Sequence, residues 1–333
     1  MTSMSTNTLP EKPEKPEKGD TRALRPPRPQ RTDRRIFSLR QTAGARQTRA
    51  AWILAVPFLA LFLAFMLLPV AWSLLMSLTD TKSADLRTPL NVGFIGLDNY
   101  TRLYEDPQFL TALSNTAVFV LVSLPLTLAA GLAAAVALNS GIQRFRAVFR
   151  LGFYLPVITS IVAVAVVWKT LLEPRAGLVN AVLGWFGIDG PAWLADTRFA
   201  LPVMIVMAVW RNLGTVMIIM LAGLQSVPHS LMEAAELDGA GPWQRFWRIT
   251  FPLLRPALLL TAVTTGIGYL QFFDEPFVMT DGGPLDSTLS ATLYAYKQFG
   301  NGNYDVASAA GYVVFVLIVA LTVLQFRVLR DKD

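Results

Sequence analysis

Six apolar runs, at about residues 50–78, 109–138, 147–172, 199–224, 257–273 and 304–327, constrain this chain more than any other feature. A helix rises 1.5 Å per residue, so about 20 apolar residues cross a hydrocarbon core of about 30 Å. Each run is long enough to do so. The expected fold is an all-α polytopic membrane protein with six transmembrane helices. A composition of 53% hydrophobic and only 16% charged residues excludes a soluble enzyme. Pro57, Pro69, Pro125, Pro156 and Pro202 lie inside or near the ends of the runs, where proline kinks or breaks a helix.

The first 49 residues are a separate region. Their EKP triplets, prolines and scattered arginines cannot bury enough apolar surface to fold, which predicts a disordered basic cytoplasmic tail able to lie on anionic lipid. Within it, Arg34-Arg35-Ile36-Phe37 resembles a twin-arginine export signal, but the apolar run that follows is longer than a signal core and five more come after it. With the tail inside, the cytoplasmic side holds 21 of the 29 Lys and Arg residues, so both termini, including residues 329–333, are expected in the cytoplasm. The chain from 50 to 328 is then one membrane domain. There is no cysteine, and the single histidine, His229, has no second His or Cys to complete a metal site.

Between the fourth and fifth runs, residues 225–256 carry Glu233, Glu236, Asp238, Arg245, Arg248 and Arg255, charges too costly to leave in hydrocarbon. Pro228 and the spacing of Leu231, Ala234, Ala235 and Asp238 predict a short helix over 229–237 with a small-residue face, ended by Gly239 and Gly241. Pro242 opens a second, amphipathic helix with Trp243, Phe246, Trp247 and Thr250 on one face and Gln244, Arg245 and Arg248 on the other. Small residues let another backbone come close, as docking into a partner requires.

The run Glu233-Ala234-Ala235, Asp238-Gly239-Ala240, then Ile249 and Pro252 resembles the EAA loop of the membrane-spanning permeases of binding-protein-dependent ABC importers. The resemblance implies that Glu233, Ala234, Ala235, Asp238, Gly239 and Ala240 form a coupling helix that enters a cleft on a cytoplasmic ATPase subunit. It also implies a second homologous permease, two ATP-binding subunits and an extracytoplasmic solute-binding protein as partners, in the bacterial plasma (inner) membrane. Nucleic acid has no part in it. Gly96-Leu97-Asp98-Asn99-Tyr100 and Thr280-Asp281-Gly282-Gly283-Pro284 are good turn formers and are similar to loops of the carbohydrate and glycerol-phosphate, maltose-type branch. Asp281 departs from that pattern, in which a third glycine is frequent there.

No G-x-x-x-x-G-K-[ST] loop occurs, so the chain is expected to bind no cofactor itself and to leave ATP-Mg to partner subunits. The one deeply placed charge is Arg211, either a structural partner for an interior group or part of a pathway. Because the family's fourth and fifth helices line the path, the resemblance implies Trp210, Arg211, Asn212, Tyr269, Gln271, Phe272 and Asp274 as pathway residues. Aromatic faces and amides suit a mono- or oligosaccharide. The alternatives are a permease for a non-sugar solute and an ion-coupled secondary transporter. The latter places carboxylates within the bundle, whereas Asp274 and Glu275 are expected at a helix end.

Overall fold

The computed structural model describes residues 51–87, 92–140 and 145–329. The tail of residues 1–49, its arginine pair and residues 330–333 lie outside the described residues. Contacts divide the chain between Met66 and Leu67. Of the first unit, residues 51–66 belong to α1 (Ala51–Ser77), whose backbone turns π-helical over Leu63–Leu67. Phe58 stacks on Phe62 with centroids 6.2 Å apart, and the apolar side chains stand exposed. A helix apolar on every face is one made for lipid or for another chain.

The second unit is built from helices alone, joined by turns and one isolated bridge between Thr79 and Phe94. After α1 come α2 (Asp98–Glu105), α3 (Pro107–Ser140), α4 (Arg146–Ile158), α5 (Ile161–Leu171), α6 (Leu178–Trp185) and α7 (Ala200–Gln225). There follow α8 (His229–Leu237), α9 (Pro242–Arg245), a π turn over Phe246–Thr250, α10 (Phe251–Leu253) and α11 (Arg255–Leu270). The chain ends through α12 (Asp274–Met279), α13 (Ala291–Gly300) and α14 (Tyr304–Leu329). Among the described residues, five helices are long and apolar enough to cross a membrane, and a sixth crossing exists if α4 and α5 count as one.

α7 is the centre of this unit. Met204, Met207, Met217 and Met220 are fully buried, and its broadest contact is with α3. At Gly214 a Cβ would stand 2.2 Å from the Phe153 carbonyl oxygen, so α4 crosses α7 as closely as the missing side chain allows. Lipid tails are as apolar as leucine, so these helices are held by close packing and by interhelical hydrogen bonds worth about 0.6–2 kcal/mol each. Several such bonds are buried, three of them between the long helices. The Tyr269 hydroxyl of α11 donates to the Ala208 carbonyl of α7 at 3.1 Å and meets Thr127 Oγ1 of α3 at 2.8 Å, and Gln325 Nε2 of α14 donates to the Ala262 carbonyl at 3.0 Å.

One boundary needs correction and one kink takes a definite form. The third apolar run, in which Pro156 was expected to kink or break the helix, is bent so that α4 and α5 meet at 97° across Thr159 and Ser160. Pro156 removes a helical donor two residues before α4 ends, and Thr159 Oγ1 donates to the Pro156 carbonyl at 2.8 Å. The fifth run does not stop at residue 273 but breaks at Gln271–Phe273 and continues as α12, whose Glu275 is buried at 7% exposure. Asp274 and Glu275 do sit at a helix end, in the first turn of α12, but Glu275 is enclosed there by the protein.

The turn-forming loops are structural. Gly96 takes φ +65°, and the buried Asn99 that follows donates through Nδ2 to the Ser77 and Thr79 carbonyls at 3.0 and 2.8 Å. It thus satisfies acceptors left free at the end of α1. Ser290 caps α13 by accepting from the Leu293 amide at 3.1 Å. Within α13, Tyr294 donates to Asp106 Oδ2, and burial first, then that carboxylate, pushes its phenol well above the ordinary range.

Candidate functional site

Two places on the second unit carry the residues singled out in the sequence. The first is a polar cavity of 220 Å³ between α7, α11 and α12. Arg211, Asn212, Tyr269, Gln271, Phe272 and Asp274 all line it, so the fold gathers six residues that lie 63 positions apart at the extremes. Trp210 points elsewhere, lining a separate 380 Å³ cavity with Phe153, Pro156 and Leu213 and standing 5.8 Å from Trp168.

The six are not equivalent. Tyr269 is 5% exposed with its hydroxyl engaged as above, and Phe272 is 2% exposed and stacked on Phe119 at 3.7 Å. They form wall. Asn212 donates through Nδ2 to the Ala208 carbonyl at 2.9 Å, which leaves its Oδ1 as the open function. Arg211 Nε is buried and has no hydrogen-bond partner among the described residues. A buried donor without an acceptor costs about 1–3 kcal/mol, and Arg150 Nε and Arg245 Nε stand in the same condition. Glu275, Thr264 and Thr265 also line the cavity and were not anticipated. The available signal for Glu275 was its setting: Phe272 and Phe273 precede the Asp274-Glu275 pair and Pro276 to Met279 follow, so apolar chain brackets the charges.

The second place is α8 and the turn after it. α8 begins at His229 and ends at Leu237 as the spacing predicts, with Pro228 before it. Gly239 takes φ +78°, and the Ala240 amide returns to the Ala235 carbonyl at 2.9 Å, closing the helix end. Glu233, Ala234, Asp238 and Gly239 are exposed, Ala235 and Ala240 half-buried, and no residue of α8 is buried. Leu237 is 90% exposed. What holds α8 is slight: Arg245 Nη1 reaches Glu236 Oε2 at 2.9 Å, and Thr250 Oγ1 lies 3.9 Å from Met232 Sδ.

The anticipated second helix persists only as α9, the π turn and α10 in succession. Trp243, Phe246 and Trp247 do share a face, with ring centroids 5.3–6.4 Å apart. Arg245, expected on the solvated face, is instead largely covered, its side chain 19% exposed.

Among the described residues no group of three or more His, Cys, Asp or Glu side chains could hold a metal ion. The family described as "Binding-protein-dependent transport system inner membrane component" matches residues 42–332. The chain is 36% identical over 287 residues to the lactose transport system permease protein LacF of Rhizobium radiobacter, covering 84% of this chain and 94% of that one. It is 31% identical over 287 residues to the trehalose/maltose transport system permease protein MalF of Thermococcus litoralis, covering 86% and 96%. A crystal structure of a bacterial ABC transporter involved in the import of the acidic polysaccharide alginate superposes with a TM-score of 0.75 at 26% identity, over 87% of this chain and 98% of that one. With its multi-pass helical fold, the chain therefore belongs to the family of inner membrane permease components of binding-protein-dependent ABC importers.

Proposed function

We propose that the chain forms half of the pathway for a saccharide, handed over by an extracytoplasmic binding protein and driven by two separate ATP-binding subunits that use ATP-Mg. A second, homologous permease supplies the other half. Relatives named for lactose and for trehalose/maltose support the substrate class. The cavity at Arg211 is smaller than the roughly 300–1,000 Å³ of most small-molecule sites, as suits a half-site completed across a permease pair. With α4 and α5 as one bent crossing there are six spans, and the excess of Lys and Arg favours both termini inside.

The observation that carries the coupling reading is α8: a helix with glutamates and small residues on its surface, none of them buried against its own chain. In this reading Glu233, Ala234, Ala235, Asp238, Gly239 and Ala240 meet the ATPase. The test is a complex reconstituted in proteoliposomes with its binding protein. A Cβ at Gly239 would meet nothing within 4 Å, so Gly239→Val costs only left-handed backbone strain, about 1–3 kcal/mol and local. Expected for Gly239→Val and Glu233→Ala are normal assembly with an uptake rate and binding-protein-stimulated hydrolysis both lowered about tenfold or more. Wild-type rates in both variants would mean that α8 is not the coupling element.

A further inference from the structure

The loop between α7 and α11 divides by charge. α8 and the residue after it expose Glu233, Glu236 and Asp238 and carry no Lys or Arg, whereas from Pro242 to Arg255 every charged residue is an arginine. An anionic membrane surface repels the first half and attracts the second, over a Debye length of roughly 8–10 Å.

The basic half also exposes rings. Trp243 is 74% exposed, Trp247 46% and Leu253 45%. The Trp243 and Trp247 centroids lie 5.6 Å apart and Phe251 stands 5.0 Å from Trp247, a ladder that runs up to Arg255, where the spanning segment begins. Tryptophan concentrates at the boundary between headgroups and water, and a chain crosses that boundary just before it enters a span. Arg248 follows Trp247 directly, is exposed, and makes no ion pair among the described residues, while Arg245 is already answered by Glu236. Exposed rings beside an unanswered arginine suit a segment lying in the plane of the interface.

We infer that Pro242–Arg255 rests on the anionic lipid of the cytoplasmic leaflet, with Trp243 and Trp247 at headgroup level and Arg248 on an anionic headgroup. α8, of the opposite charge, is thereby turned away from lipid and left to the ATPase. The inference rests on the reading that this loop is cytoplasmic.

The chain contains no cysteine, so single labels are readable. In the complex carried in nanodiscs, a spin label at Gln244→Cys, an exposed position between the two tryptophans, is compared for its accessibility to oxygen, which dissolves in lipid, and to a neutral nickel chelate, which stays in water. With phosphatidylglycerol present, the oxygen-to-chelate ratio should stand about threefold above that in phosphatidylcholine alone. Arg248→Gln should remove that rise and Arg248→Lys should keep it. Without the ATPase subunits the rise should persist, and a label at Leu237→Cys should stay open to the chelate in both lipids. A ratio at Gln244→Cys equal in the two lipids, or unmoved by Arg248→Gln, overturns the inference. Shielding that appears only when the ATPase is present marks a protein contact and also overturns it. Sidedness is read separately, with a membrane-impermeant maleimide on Leu237→Cys in sealed vesicles. Labelling from the outer face means that the cytoplasmic reading fails, and the lipid contact is then judged by the accessibility ratio alone.

Discussion

Residues 226–254, before α11, and residues 271–290, after it, both read in sequence as polar connections rich in turn formers, yet the fold treats them oppositely. In the later segment the polar groups find partners in their own chain. Asn115 Nδ2 of α3 donates to the Asp286 and Leu289 carbonyls at 2.7 and 3.0 Å, and Thr288 Oγ1 pairs with Thr280 Oγ1 and the Gly283 carbonyl, each at 2.7 Å. Thr288, Leu289 and Ser290 are fully buried. In the earlier segment α8 buries nothing and, among the described residues, hangs on one ion pair and one weak sulfur contact. Turn chemistry alone therefore does not reveal a docking surface. The difference lies in whether the donors and acceptors are already spent.

The largest effect expected from this contrast is at Asn115. Asn115→Leu strands two carbonyls, which should lower the stability of the permease chain purified without its ATPase by about 2–4 kcal/mol, read as a fall in unfolding temperature. Leu237→Ala, at a side chain 90% exposed on that isolated chain, should leave its temperature unchanged. Equal shifts would erase the distinction between the two segments.

A smaller effect should follow Arg245→Leu. Glu236 is 71% exposed, so the lost ion pair is worth no more than about 0.3–1 kcal/mol after solvent screening. Amide hydrogen exchange over residues 229–238 should quicken by a few-fold while residues 286–291 keep their protection. Parallel changes in both stretches would show that α8 is not separately tethered.

The smallest concerns Asp281. It takes φ +52°, a left-handed conformation that glycine holds without strain, as would suit the glycine expected there from the resemblance. Its carboxylate pairs with Lys297 at 3.3 Å, and its carbonyl accepts from the same Nζ at 2.7 Å. Asp281→Gly relieves the backbone and keeps the carbonyl contact, so the net change should stay within about 0.5 kcal/mol by thermal unfolding. A loss above 2 kcal/mol would make the surface ion pair, rather than the buried carbonyl partners, the main support of this loop.

The spans were legible because lipid imposes one rule on every residue of a run: α7 and α14 start within a residue of the expected position. α8 was legible for another reason, since Pro228 and Gly239 fix a backbone locally whatever surrounds it. The bend between α4 and α5 was legible only in part: Pro156 marks a kink, but Val157, Ile158, Ile161 and Val162 are apolar on both sides of it and hydropathy sums over direction, so the angle was not. Glu275 was missed because a carboxylate beside an aspartate scores as solvated loop, while its burial depends on which helices the break at Gln271–Phe273 brings together. The pathway residues were recognisable by their helix, but the division into wall and open function required the partners of Tyr269, Phe272 and Asn212.

The right-angled bend has a consequence for the surrounding membrane. About four amides at the start of α5 and about four carbonyls at the end of α4 lack helical partners, and Thr159 answers only part of the carbonyl set. Acyl chains can answer none of the rest. Thr159 and Ser160 are exposed on the isolated chain, so if the bent pair is one crossing, the open groups there call for water or a neighbouring subunit rather than lipid. Ile161, the first residue beyond the bend, also lines the cavity of Arg211, so the stretch of perimeter that lipid would then vacate borders the place where solute is proposed to pass.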